Sequence, residues 1–138
     1  MTRADLLSFL RRHKLGVVAT TSPQGEPQAA VMGVAFTDQL EVIFDTLDAS
    51  RKCANLRHNP RIAIVAGWDQ EITVQMEGVA DEPSGAERDR ILAAYFVPYP
   101  DGRDRLSWPG ITHFRVRLSW ARYSDFNPGG QIVELTEF

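Results

Sequence analysis

The amino-acid sequence predicts a mainly β domain, an antiparallel β-barrel of about six strands with flanking helices. Three observations carry that prediction. Consecutive strand-like runs are joined by tight reversals, which pair strands antiparallel. The runs fit within 138 residues, a length that suits one domain with a real core and is read as a single domain over residues 1–138. A doubly wound parallel fold needs a crossover helix after nearly every strand, and that alternation is missing.

The elements follow in order. "MTRADLLSFLRRHK" reads as an amphipathic helix with Leu6, Leu7, Phe9 and Leu10 as its apolar stripe. Thr2 and Asp5 have the spacing of a capping pair. "LGVVATTS" reads as a strand, and "SPQGEP" carries the Pro and Gly of a reversal. "PQAAVMGVAF" is near-continuously apolar from Ala29 to Phe36, as in a strand covered on both faces. In "LEVIFDT", Leu40, Val42 and Phe44 alternate with Glu41, Ile43 and Asp45. A short helix from about Ala49 to His58 follows, stopped by Asn59 in a left-handed conformation and by Pro60. "RIAIVAG" and "EITVQMEGVADE" are two further strands, the second with Ile72, Val74 and Met76 opposite Thr73, Gln75 and Glu77. "SGAERDRILAAYF" has helical spacing, with Ser84 and Glu87 as a capping box. "VPYPDGRDRLSWPG" is a long loop. "THFRVRLSWARYSDF" then sets Phe114, Val116, Leu118 and Trp120 on one face of a long strand, and "QIVEL" closes the chain as a short one.

Composition narrows the function. A formal net charge of −3 argues against general nucleic-acid binding, which wants a basic face. No apolar run approaches a membrane span, and the N-terminus has no signal-peptide core. The single cysteine, Cys53, excludes an internal disulfide framework, so a reducing cytoplasm is expected. His13, His58 and His113 are scattered without metal-ligand spacing, and no metal is expected. Signatures of serine hydrolases, P-loop nucleotide binders and Rossmann dinucleotide sites are absent.

One stretch is electrostatically odd. In "DTLDASRKCANLRHNP" the first turn of the helix carries Arg51 and Lys52, although a helix start already bears partial positive charge. Ser50 can cap that helix, and Thr46 ends the strand before it. Two readings stand side by side: an external anion such as a phosphate sits there, or Asp48 or a nearby glutamate neutralises the pair. "AAVMGVAF", with Ala30, Val31, Met32 and Gly33, is either a small-residue strand for a planar ring, or barrel core, or a dimer interface. Trp108 and Trp120 either wall a pocket or pack. Cys53 beside the basic pair reads as an inward-facing packing residue.

Taken together, "LGVVATTSPQGEPQAAVMGVAF", "FDTLDASRKCANLRHNPRIAIV", "VQMEGVADE" and "FRVRLSWARYSDF" resemble the pyridoxamine 5'-phosphate oxidase-like family of FMN-binding split barrels. The resemblance covers roughly Leu6 to Phe126, and the Ser-Arg-Lys helix start with its Asn-Pro exit is its most specific part. It implies a six-stranded antiparallel split β-barrel that binds FMN. Thr46, Ser50, Arg51 and Lys52 would hold the phosphate, and the ring would pack along about Ala29 to Val34. Thr73, with Gln75 next on the same face, would reach the flavin. The cofactor would lie between the two subunits of a homodimer, with Trp108 and Trp120 as candidates for the partner's wall. Ala29 and Val34 stand where the vitamin oxidase carries a flavin-contacting Arg and a substrate-binding Lys, so phosphorylated pyridoxamine is not the expected substrate. The implied activity is a flavin-dependent oxidoreductase for another small molecule, with no catalytic acid or base identified. The competing readings are a deazaflavin-coenzyme reductase, a haem binder and a non-enzymatic flavin carrier or sensor.

Overall fold

Thr2 opens the first helix of the computed structural model, which describes residues 1–138. Its Oγ1 accepts from the Asp5 N–H at 3.1 Å while its own N–H donates to Asp5 Oδ2 at 2.7 Å, the reciprocal pair the sequence predicts. Helix α1 (Arg3–Leu10) buries Leu6, Phe9 and Leu10 against the barrel interior. Strands β1 (Leu15–Thr21) and β2 (Pro27–Gly33) form a hairpin, and β3 (Ala35–Phe36) and β4 (Val42–Leu47) form another. Helix α2 (Arg51–His58) leads to β5 (Arg61–Ala66) and β6 (Ile72–Asp81). Then come α3 (Gly85–Tyr95), the short α4 (Gly102–Arg105), β7 (Ile111–Asp125) and β8 (Ile132–Leu135). Helix α4 lies within the segment expected to be loop.

Every pairing is antiparallel, in the order β2-β1-β5-β6-β7-β4-β3, with β8 on the second half of β7. The two edges of this sheet are β2 and β3, and the chain runs from one into the other through Val34 alone. The sheet therefore curls until its edges are adjacent and closes through the covalent chain at one residue. Val34 is buried, and its N–H donates to the Lys14 carbonyl at 2.9 Å. Inside lie Val18, Val42, Phe44, Ile64, Met76, Phe114 and Val116, with Cys53 and Leu56 of α2 alongside. Cys53 is a free, fully buried packing residue, and burial pushes its thiol pKa up.

Five expectations need correction. Strand β2 is not covered on both faces in the single chain: Ala29, Ala30 and Val31 are exposed, Val31 by 61%, because β2 is a sheet edge. Glu41 and Ile43 are buried like their neighbours, because α3 covers that outer face. Ser84 makes no side-chain cap; its expected partner Glu87 is instead engaged by Arg90 and Arg115. Asn59 is extended, at φ −137, rather than left-handed.

The fifth concerns Trp120. Gly78 pairs with Leu118 but Glu77 pairs with Trp120, so Ser119 is an extra residue in β7, a β-bulge. A bulge shifts the alternation by one. Phe114, Val116 and Leu118 face inward before it and Ala121 and Tyr123 after it, which turns Trp120 to the outer face. A Cβ at Gly78 would stand 2.2 Å from the Arg117 carbonyl oxygen, so the bulge requires glycine opposite it.

Outside β4 and β7, helices α3 and α4 are held by paired charges. Arg115, 4% exposed, donates to both carboxylate oxygens of Asp81 at 2.9 and 2.6 Å and to Glu87 at 2.6 Å. Arg90 grips Glu41 at 2.8 and 3.0 Å. Burial works against the Glu41 carboxylate, but the Arg90 and Thr37 hydrogen bonds and the Arg115 charge outweigh it and hold its pKa down. Arg105 donates to Asp45 at 2.7 Å, Asp101 at 2.8 Å and the Tyr95 hydroxyl at 3.1 Å.

Candidate functional site

The end of β4 delivers Thr46 to a turn that Ser50 closes by capping α2. Ser50 Oγ accepts from the Cys53 N–H at 3.2 Å and from the Thr46 hydroxyl at 2.9 Å. A serine oxygen has two acceptor lone pairs and one proton. The two hydroxyls share one bond, so one proton of the Thr46–Ser50 pair is left for another acceptor. The first intrahelical bond runs from the Ala54 N–H to the Ser50 carbonyl at 3.3 Å. The N–H groups of Arg51 and Lys52 precede it and are the orphans that a helix start leaves.

Neither Arg51 nor Lys52 forms an ion pair with any carboxylate of the chain. Asp48, the internal neutraliser weighed above, has its carboxylate against Gly110 instead, where a Cβ would lie 2.4 Å from Oδ1. The two cations line a depression of about 60 Å³ with Val18, Thr20, Gln28, Ala29 and Ala30. That volume suits one small anionic head.

Asn55 fixes the distance between helix and strand. It is buried in α2, and its Nδ2 donates to Thr20 Oγ1 of β1 at 3.0 Å and to Gln28 Oε1 of β2 at 2.9 Å. Sequence reasoning missed Asn55, Thr20 and Gln28. The available signal was a polar residue beside Cys53 and Leu56 in a helix too short to waste a buried position.

The structure brings together some of the predicted residues and separates others. Arg51, Lys52 and Ala30 line one depression, and Thr46 and Ser50 are bonded to each other at the adjoining helix start without lining it. Val31 follows on β2 as an exposed residue, and Met32 is half-buried against the core. Beside Gly33, the position of a Cβ is filled by Tyr99, 2.8 Å away, so this glycine makes room for Tyr99. Thr73 and Gln75 alternate with buried Val74 and Met76 and lie on the outer sheet face, as does Trp120, whose ring is covered by the Arg122 guanidinium at 5.3 Å. Strand β6 stands three strands from β2, roughly 14 Å across the sheet, so one chain does not join this group to that depression. Trp108 is 52% exposed in the segment whose Gly110 carbonyl accepts the Asp48 N–H at 2.8 Å, near the turn that precedes α2.

His113 is buried in β7 with neither ring nitrogen hydrogen-bonded, 5.9 Å from the Tyr95 ring. Burial holds its pKa below the usual value. No group of three His, Cys, Asp or Glu residues is placed to hold a metal ion, and no helix is long and apolar enough to cross a membrane.

A curled antiparallel sheet closed at one residue, with a basic helix start beside its β2 edge, defines a split-barrel domain. Solved structures agree with that class. A heme binding protein from Mycobacterium smegmatis matches with a TM-score of 0.83 at 19% identity, over 99% of this chain and 59% of that one. A putative pyridoxamine 5'-phosphate oxidase from Listeria innocua matches with a TM-score of 0.69 at 19% identity, over 87% of this chain and 95% of that one. At such identities the likeness is one of fold. The family comes from sequence: residues 3–120 match the family described as pyridoxamine 5'-phosphate oxidase, and the chain belongs to it. A pyridoxine/pyridoxamine 5'-phosphate oxidase of Rubrobacter xylanophilus is 33% identical over 93 residues, which are 67% of this chain and 41% of that protein. The chain thus spans about two-fifths of the length of the curated relatives it matches.

Proposed function

We propose that this protein binds FMN and works as a flavin-dependent oxidoreductase on a small, largely apolar or planar molecule. The observation that carries the reading is the unpaired Arg51 and Lys52 at the start of α2, next to an exposed strand of small residues. In a chain of this family, a flavin phosphate answers those charges. What supports the fit is two cations without an internal carboxylate lining a small depression, next to a capped helix start whose first N–H groups have no intrahelical partner. Bound flavin would supply hydride and electron transfer. The chain's own part is to seat the phosphate, set α2 against β2 through Asn55, and offer Ala29 to Val31 as a flat surface.

A homodimer completes this reading. The exposed β2 and the outer-face Thr73, Gln75 and Trp120 belong to two surfaces that one chain keeps apart, and a second copy placed across the open edge supplies the missing wall. Ala29 on β2 and Val34 just past its end lack the charges a phosphorylated vitamin needs, so we assign a different substrate. The single buried thiol fits a reducing cytoplasm.

The test is the absorption spectrum of whatever small molecule copurifies. FMN gives a band near ~450 nm, a deazaflavin coenzyme one at shorter wavelength, and haem a Soret band. Either of the last two overturns the assignment, as does a solution mass equal to one chain with flavin tightly bound. Bound flavin that neither nicotinamide cofactor reduces, and that turns over no acceptor, makes the protein a carrier instead.

A further inference from the structure

We infer that His113 is a pH-sensitive latch for the short helix α4 and the segment that follows it to Gly110: a proton on the ring takes Asp45 away from Arg105 and lets that segment loosen from the barrel. His113 rises from the outer face of β7, 6% exposed, with neither ring nitrogen hydrogen-bonded. Buried polar groups nearly always have a partner, so this orphan calls for a reason. Asp45 stands directly opposite on β4, paired with His113 in the antiparallel ladder, and the two side chains are neighbours on one face. From α3 come Arg88 and the Tyr95 ring, edge-on at 5.9 Å. Helix α4 contributes Arg105, and the next residue on the same face of β7 is Arg115.

Among these groups Asp45 is the one carboxylate, and it is already engaged, accepting from Arg105 Nε at 2.7 Å. Arg115 is occupied by Glu41, Asp81 and Glu87. Burial and the Arg88 and Arg105 charges keep the ring neutral, and only Asp45 pulls the other way. A buried imidazolium needs an anion, and the ladder offers it Asp45 alone. Arg105 retains a second acid, Asp101, at 2.8 Å on the exposed side. Giving up Asp45 therefore leaves Arg105 with a partner in solvent and none on the sheet.

Other clamps confine the loosening. Helix α3 is fixed by Arg90 on Glu41 and by Arg115 on Glu87, bonds that do not involve Asp45. Of the ion pairs, only Arg105–Asp45 ties α4 to the sheet. Beyond it the chain holds local bonds, from the Leu106 N–H to the Arg103 carbonyl and from the Trp108 N–H to the Arg105 carbonyl. The Gly110 carbonyl then accepts the Asp48 N–H at 2.8 Å, so freedom gained at α4 reaches the turn before α2. The latch acts whatever that turn's neighbour binds.

Neutral His113 belongs to the closed form. Closure is complete above the ordinary histidine value of 6.5 and is lost as pH falls toward the lowered one. The experiment follows amide hydrogen exchange of the full chain from about pH 7.5 to about pH 5, corrected for intrinsic rates, beside an NMR titration of the His113 ring. Protection at Asp104, Leu106 and Trp108 should fall about fivefold or more, within the limit of about tenfold per pH unit that one proton sets. Amides of α3 and of the barrel strands should keep theirs, and the fall should share its midpoint with the His113 titration. His113→Phe should stay closed throughout, and Arg105→Gln should stay open throughout. Should His113→Phe not fold, the shared midpoint in the parent chain decides. The proposal is overturned if protection is unchanged over the range, or if α3 and the barrel lose it together with α4. A pH response that survives in His113→Phe, or an Arg105→Gln chain as protected as the parent, overturns it equally.

Discussion

Beneath α3 and α4, Arg90, Arg105 and Arg115 each touch at least two carboxylates, whereas at the start of α2 Arg51 and Lys52 touch none. Both regions sit on β4, one along its outer face and the other just past its end. Under the helices Arg115 and Glu41 are buried, and a buried charge is tolerable only when other groups of the chain surround it. At the helix start the charges stay within reach of solvent and add to a positive helix end. A protein with 18 acidic residues could have placed one beside them. Internally paired cations hold the fold together here, and cations left without partners are directed outward. Arg12, Arg61, Arg88 and Arg103 also lack a carboxylate partner, so what sets Arg51 and Lys52 apart is their place together at a helix start.

The comparison can be broken most severely at Arg115. Replacing it with Met strands Glu41, Asp81 and Glu87 without their shared partner and should cost about 3–5 kcal/mol in urea unfolding. A loss below about 1 kcal/mol would show that the network is not structural. Next comes Arg51→Ala/Lys52→Ala. Hydrogen bonds to charged groups are worth about 1.5–3 kcal/mol each, so FMN affinity should fall by roughly 100-fold or more. The thermal midpoint of the free protein should stay where it was, and unchanged affinity would remove the pair from the site. Asn55→Ala lies between the two classes. It should weaken FMN binding about tenfold and cost about 1–2 kcal/mol, with Asn55→Gln recovering part of the binding loss. An equal stability loss with no change in affinity would return Asn55 to the core.

The smallest effect is a pH slope. Burial keeps the His113 pKa below its ordinary value of 6.5, so the unfolded chain takes up a proton that the folded chain refuses. Stability contributed by neutral His113 is therefore complete above that value and declines as pH falls toward the lowered one, by at most about 1.4 kcal/mol per unit. The charged groups acting on it are Asp45, which opposes the shift, and Arg88 and Arg105, which favour it. His113→Phe should flatten the stability curve between pH 6.5 and 5. Glu41 and Glu87, with lowered values, lose their contribution only below the ordinary carboxylate pKa of 4.5, so the two windows are separable.

Much of this was legible in the sequence, because strand alternation, the Thr2–Asp5 and Ser50 caps and the Arg51–Lys52 anomaly are local patterns. What escaped depends on residues distant in sequence. Glu41 and Arg115 read as polar and outward, but α3 covers them and their charges meet only after folding. The Ser119 bulge is invisible without the partner strand, so Trp120 is assigned to the wrong face by simple alternation. Asn55 shows its role only when Thr20 and Gln28 arrive from another hairpin. The exposure of Ala29 to Val31 follows from strand order, which no window along β2 contains.

The passage through Val34 has a consequence for chain entropy. Bringing the edges of a sheet together ordinarily means closing a long loop, at a cost that grows with the logarithm of its length. Here the loop is a single residue, so once the β1–β2 and β3–β4 hairpins exist, their outer edges are already joined. The barrel has no hydrogen-bonded seam at that point to zip or unzip. Widening its mouth there means turning two backbone torsions of a residue whose N–H is anchored to Lys14, so the rim yields as a hinge does, about one fixed pin.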